Sequence, residues 1–144
     1  DGFHLPESVI KVMLRTKGDK VIVTSDASFI SGLLPGEYST DIGGHVTLTS
    51  EGRLHLSHNP QLLAGSAQMQ IKAIEHLTNS KLANLTTAWD MCSVRPAHLL
   101  GLSTRNGLEE GAPADMVVFR RHDANIRVLR TYKNGRLVYE NKML

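Results

Sequence analysis

Between residues 6 and 16 apolar side chains recur at helical spacing: Val9, Ile10, Val12, Met13 and Leu14 follow Pro6 and Glu7. The spacing predicts a helix buried along one side, with Pro6 and Glu7 suited to its first turn and Gly18 to its end. The pattern then switches. Val21, Ile22 and Val23 form a continuous β-branched run within residues 20–27, which predicts a short strand buried on both faces. Thr24 and Ser25 follow, and then a lone carboxylate, Asp26, where that strand should end. Helix, turn, strand and acid make one αβ step of a parallel sheet or barrel.

Residues 28–44 hold four glycines and one proline, a composition that breaks regular structure and predicts a loop of the functional or lid type. Alternation over 46–49 and 53–57 around Glu51-Gly52 is a hairpin signal. Leu62, Leu63, Ala64, Gly65 and Ser66 make a small apolar stretch ahead of a helix predicted over 67–77, with Met69, Ala73, Ile74 and Leu77 on its inner side. Another helix is expected over 86–93, capped by Thr86 or Thr87 and anchored by Trp89. Pro96 then opens a short helical turn over 96–100 that Gly101 closes. Residues 115–120, 126–132 and 136–139 read as strands, the last two joined through Asn134-Gly135, a type I′ hairpin signal. There is no internal repeat and no low-complexity tract.

Composition narrows the reading little. The 144 residues suffice for one domain with a real core, and 41% hydrophobic content is ordinary. Net charge is +2 with Lys and Arg scattered, and aromatics are 5%, so nothing marks a nucleic-acid surface. No apolar run approaches membrane-spanning length, and no signal or transit segment is read. The single cysteine, Cys92, excludes an internal disulfide and fits a reducing, cytoplasmic setting. The chain starts Asp-Gly-Phe-His without an initiator Met, as though entered in the middle of a longer protein.

Among candidate chemistry, the seven histidines include no His-x-His pair and no helical His-x-x-x-His, and there is no Cys-x-x-Cys. His55 and His58, three apart near a strand end, read as surface residues; His76 and His98 read as interface or surface histidines. Cys92, beside Met91 in an apolar helix, reads as core. Ser25 and Ser66 lack a local base pattern, which argues against a serine hydrolase. Asp26 is better placed, because the C-terminal ends of parallel barrel strands carry the chemistry. A turn or cap role suits an aspartate there as well. His4 precedes a helix, on the rim that Asp26 would share, where a neutral imidazole can donate to a substrate oxygen; a capping or loop role fits equally. Residues 63–66 offer either backbone N–H groups at a helix N-terminus or ordinary capping by Ser66.

Four stretches stand out together: Asp1-Gly2-Phe3-His4; Val23-Thr24-Ser25-Asp26-Ala27; Leu63-Ala64-Gly65-Ser66; and a tail running from Arg95-Pro96-Ala97 through Gly107-Leu108-Glu109-Glu110-Gly111 and Ala114-Asp115-Met116-Val117-Val118 to Asn134-Gly135-Arg136. They resemble the C-terminal part of the amidohydrolase superfamily, and within it the N-acetylglucosamine-6-phosphate deacetylase family. The tail speaks for the superfamily; the first three stretches point to the deacetylase branch. The resemblance implies an α/β fold: the last strands and helices of a (β/α)8 TIM-like barrel over 1–112, with an inserted hairpin near 45–58, and the C-terminal strands of a composite β-sandwich over 113–144.

The same resemblance implies roles. Asp26 matches a catalytic aspartate that takes a proton from a metal-bound water and passes it to the leaving amine. Asp1, Gly2, Phe3 and His4 match residues lining the substrate pocket, with His4 touching substrate, and Leu63, Ala64 and Gly65 match a backbone stretch beside the sugar. The substrate would be a phosphorylated amino sugar and the cofactor a divalent metal (zinc, iron or similar), in a homodimer or other homo-oligomer with no nucleic-acid or membrane partner. The metal's glutamate and two histidines would lie upstream of Asp1, so the chain by itself is expected to be inactive. Phe29-Ile30-Ser31 before Gly32, and Gln68 before Met69, depart from the family pattern. The alternatives are an amidohydrolase acting on a different amide or cyclic amide, and a non-catalytic β-rich assembly module.

Overall fold

The computed structural model describes residues 2–41 and 44–142. Its regular elements are helices α1 (Glu7–Lys17), α2 (Gln70–Asn79), α3 (Leu85–Cys92) and α4 (Val94–Leu99), with strands β1 (Gly36–Thr40), β2 (Gly44–Leu48), β3 (Leu54–Leu56), β4 (Asn59–Leu63), β5 (Met116–His122), β6 (Asn125–Lys133) and β7 (Arg136–Glu140). Helix and sheet are mixed, as expected. The strands form two antiparallel sheets, ordered β1-β2-β3-β4 and β5-β6-β7.

Local chemistry explains most boundaries. Gly18, at φ 51°, closes α1 and returns its N–H to the Leu14 carbonyl. Asn84, and neither Thr86 nor Thr87, caps α3: its side chain accepts from the Thr87 N–H. Glu51-Gly52 turns β2 into β3 and Asn134-Gly135 turns β6 into β7, with Asn134 and Gly135 both at positive φ as a type I′ turn requires.

Several expectations change. Residues 28–44 are not all loop: β1 lies within them, drawn into a ladder by β2. Residues 59–63 form the edge strand β4, whose Pro60 is tolerated at an edge, so the 63–66 stretch leaves a strand and does not open a helix. Helix α2 starts at Gln70, leaving Met69 outside it and 61% exposed. Helix α1 buries no residue fully; Ile10 and Leu14 pack on the core while Val12 is 59% exposed. The 20–27 run joins no strand ladder: Lys20 ends a 3-10 turn, its only bridge among the described residues is a parallel pairing of Ala27 with Ser66, and Ile22 is 42% exposed. A β-branched run becomes a ladder strand only where another strand lies alongside to pair with it.

The apolar interior has two parts. The larger joins Ile74, Leu77, Ala88, Met91 and Ile126, so α2 and α3 pack against β6. Trp89 anchors α3 as expected, stacking on Phe119 of β5 with ring centroids 4.7 Å apart. The smaller part, Ile30, Val46, Leu48 and Leu54, belongs to the β1–β4 sheet. His55, in β3 of this sheet, is only 8% exposed, with its Nδ1 donating to the Leu56 carbonyl. The surface reading of His55 is thereby corrected; His58 and His98 are exposed.

Candidate active site

Asp26 is held from the side by helices. The Val23 N–H donates to the Met91 carbonyl at 2.9 Å, Gln70 Nε2 donates to the Val23 carbonyl at 2.7 Å, and Arg95 Nη1 donates to the carbonyls of Gly18 and Val21. Arg95 also pairs with Asp19. At the end of this brace Asp26 takes φ 48°, a left-handed conformation that most residues avoid and aspartate tolerates better than most. The Ser25 hydroxyl accepts from the Ala27 N–H at 3.3 Å and helps to fix the turn. The carboxylate-bearing residue is exposed at a cavity mouth.

That cavity, about 410 Å³, is lined by Gly2, His4, Asp26, Gln68 and His76 over an apolar floor that includes Ile10 and Leu77. Gly2, His4 and Asp26 are therefore together. Phe3 and residues 63–65 are not among the lining residues, and Asp1 lies outside the described residues. The 63–66 stretch still reaches Asp26 indirectly: Ser66 is buried, its carbonyl accepts from the Ser28 N–H at 2.8 Å, and it bridges Ala27.

His76, expected at an interface or on the surface, forms part of this wall with its ring. It is half-buried, its Nε2 is shielded from solvent, and a Cβ added to Gly2 would sit 3.2 Å from its ring. Gly2, at φ 83°, thus combines a backbone angle and a close approach that suit glycine alone. The signal was present in the sequence: His76 falls three residues after Ala73 and beside Leu77, on the inner stripe of α2. Gln68 and Gln70 carried no comparable signal, because their partners lie far away in the chain.

Burial lowers the His76 pKa from the ordinary 6.5, against an opposing pull from Glu7. The neutral ring is the form that suits the fold. Its contribution to stability is full above about pH 6.5 and is lost as pH falls toward the depressed folded value. Thermal unfolding followed from about pH 8 to about pH 5 should show that loss, and His76→Asn should flatten it. An identical pH slope in the variant would exclude His76 as its source. Burial also pushes the Cys92 thiol up to about 11, which leaves it protonated and un-nucleophilic at neutral pH.

Among the described residues, no three His, Cys, Asp or Glu side chains come together to hold a metal ion. The donors around the cavity do not make a metal centre by themselves. Among the described residues, no helix is long and apolar enough to cross a membrane.

Comparison with known proteins agrees with the residue pattern. The sequence signature of the amidohydrolase family matches residues 12–139. The N-acetylglucosamine-6-phosphate deacetylase of Lysinibacillus sphaericus is 31% identical over 138 residues, covering 95% of this chain and 34% of its own length. That of Rattus norvegicus is 28% identical over 141 residues, covering 97% and 33%. The crystal structure of N-acetylglucosamine-6-phosphate deacetylase from Pasteurella multocida superposes with a TM-score of 0.82 at 26% identity, covering 98% of this chain and 35% of that one. The chain spans about one third of the length of these curated relatives. With a family signature over most of its length, and a fold that superposes on a family structure, the chain belongs to the amidohydrolase family.

Proposed function

We propose that this chain supplies the acid–base carboxylate and part of the substrate pocket of an enzyme that hydrolyses the N-acetyl amide of N-acetylglucosamine 6-phosphate. The observation that carries the reading is the gathering of Gly2, His4 and Asp26 on one cavity, in a chain most of whose length matches the amidohydrolase signature. Asp26 accepts a proton as water adds to the acetyl carbonyl and returns it to the amine nitrogen as the C–N bond breaks, giving acetate and glucosamine 6-phosphate. His4 lies on the same wall, where its imidazole can donate to the carbonyl oxygen as negative charge develops there.

The relatives' names support this substrate, and the amidohydrolase family is generally metal-dependent. Since the described residues do not make up a metal centre, the ligands for a divalent ion belong to other parts of the intact protein. In the same reading, residues 1–112 form the C-terminal portion of a (β/α)8 barrel and 113–144 complete a β-sandwich. Residues 63–65 and Phe3 contribute from beside the cavity they do not line, and the protein works as a cytoplasmic homo-oligomer. The test is acetate release from N-acetylglucosamine 6-phosphate by the intact protein supplied with zinc or ferrous iron, beside the chain 1–144 alone. Release by the intact protein alone is expected. Equal rates from both would overturn the division of labour, and no release from either would sink the deacetylase reading.

A further inference from the structure

We propose that Gln68 is a positioning residue of the Asp26 cavity: it stands on the cavity wall and, held in place by the β2–β3 turn, sets how tightly substrate is held. The proposal rests on the reading of the Asp26 cavity given above. Its own basis is a short chain of contacts. Gln68 lines the cavity, and its Nε2 donates to the Glu51 carbonyl at 3.1 Å, across seventeen residues of sequence. Its backbone N–H donates to the Ser66 hydroxyl at 3.1 Å. Ser66 in turn bridges Ala27, next to Asp26, and accepts from the Ser28 N–H. From turn to carboxylate, each link is a hydrogen bond or a backbone pairing.

Gly52 is shaped to the same contact. It takes φ 83°, and a Cβ built on it would fall inside the Gln68 side-chain amide. The turn presents bare backbone to the glutamine, and only glycine leaves that room. The sheet has its own small core of Ile30, Val46, Leu48 and Leu54, apart from the core formed by α2, α3 and β6. A unit with a separate core can shift as a body about its attachments, and Gln68 is the side chain that fastens its turn to the cavity wall. Displacing Gln68 on the cavity wall acts on substrate affinity more than on proton transfer, because the backbone brace of the Asp26 segment does not involve it. Gln68 is therefore a specificity-setting residue for the proposed reaction and takes no proton in it.

The experiment uses the intact protein and two readouts. In Gln68→Ala, KM for N-acetylglucosamine 6-phosphate should rise about fivefold, the scale of one hydrogen bond, while kcat stays within about twofold. Amide hydrogen exchange in residues 49–53 should quicken in the same variant. Gly52→Ala should reproduce the rise in KM, and part of its effect should vanish in the Gln68→Ala background, where the clash with the amide is gone and only the strain of the positive φ remains. Unchanged exchange in Gln68→Ala would overturn the proposal whatever the activity. Faster exchange with KM unmoved would reduce the contact to a structural one and overturn it too, as would full additivity of the two substitutions. A wild-type protein that releases no acetate would sink the deacetylase reading instead, while exchange would still decide whether Gln68 seats the turn.

Discussion

Asp26→Asn in the intact protein should lower kcat for acetate release by roughly 10²–10⁴-fold, the range expected when an acid–base group is lost. The substitution is a clean one. Asparagine has the same shape and shares the tolerance for positive φ that the 48° backbone angle at this position demands. The helix-side brace on Val21 and Val23 acts through backbone carbonyls and an N–H, so it does not depend on the Asp26 carboxylate. KM should stay within a few-fold, because the lost step is proton transfer, and thermal unfolding should be unchanged. Steady-state kinetics beside a melting curve reads all three quantities. A kcat within twofold of wild type would return Asp26 to the role of a turn residue.

Glu75→Ala should cost about 2–3 kcal/mol of stability, the largest loss expected from a single side chain outside the apolar core. Glu75 is 6% exposed on α2, and its Oε1 accepts the Ile126 N–H of β6 at 2.6 Å. Its Oε2 pairs with Lys72 at 2.7 Å. Removing the carboxylate leaves a buried backbone N–H without a partner, at the point where the β5–β7 sheet docks on the helices. Asn79, which donates to the Ala124 carbonyl at 2.8 Å, is the neighbouring tie and cannot reach Ile126's role. Thermal denaturation should show a midpoint lower by roughly 5–10 °C. Glu75→Gln should recover much of the difference, since its carbonyl oxygen still accepts from Ile126. An alanine variant that melts with the wild type would mean that this carboxylate does not fasten the sheet.

The elements readable from sequence are those whose signals are local. Gly18 ends α1 by its own backbone freedom, and Glu51-Gly52 and Asn134-Gly135 turn their strands by theirs. Trp89 and, Met69 apart, the inner stripe of α2 follow from periodicity. What escaped is set by partners. Strand β1 holds one glycine and polar residues, and becomes a strand because β2 lies beside it. The Val21–Val23 run has every intrinsic preference for a ladder and is nevertheless held by Gln70, Arg95 and the Met91 carbonyl. At the site, the likeness of Asp1-Gly2-Phe3-His4 to a known pattern directed attention to His4 beside Asp26. It gave no hint of His76, whose place depends on how closely a glycine lets a helix approach. Gln68 stood out in sequence only as a departure from that pattern, and its contact with Glu51 is visible only in three dimensions.

The pairing of Ala27 with Ser66 has an evolutionary consequence. The chain leaves at residue 28 and comes back at residue 66 to the same spot, and the excursion between them packs on itself. Closing a loop whose ends already meet costs only slowly more as the loop lengthens. Mutation can therefore lengthen, trim or rewrite this excursion while leaving the Asp26 segment and the helices behind it undisturbed. Descendants of one ancestral hydrolase can diverge here first, exchanging one excursion for another beside an inherited carboxylate.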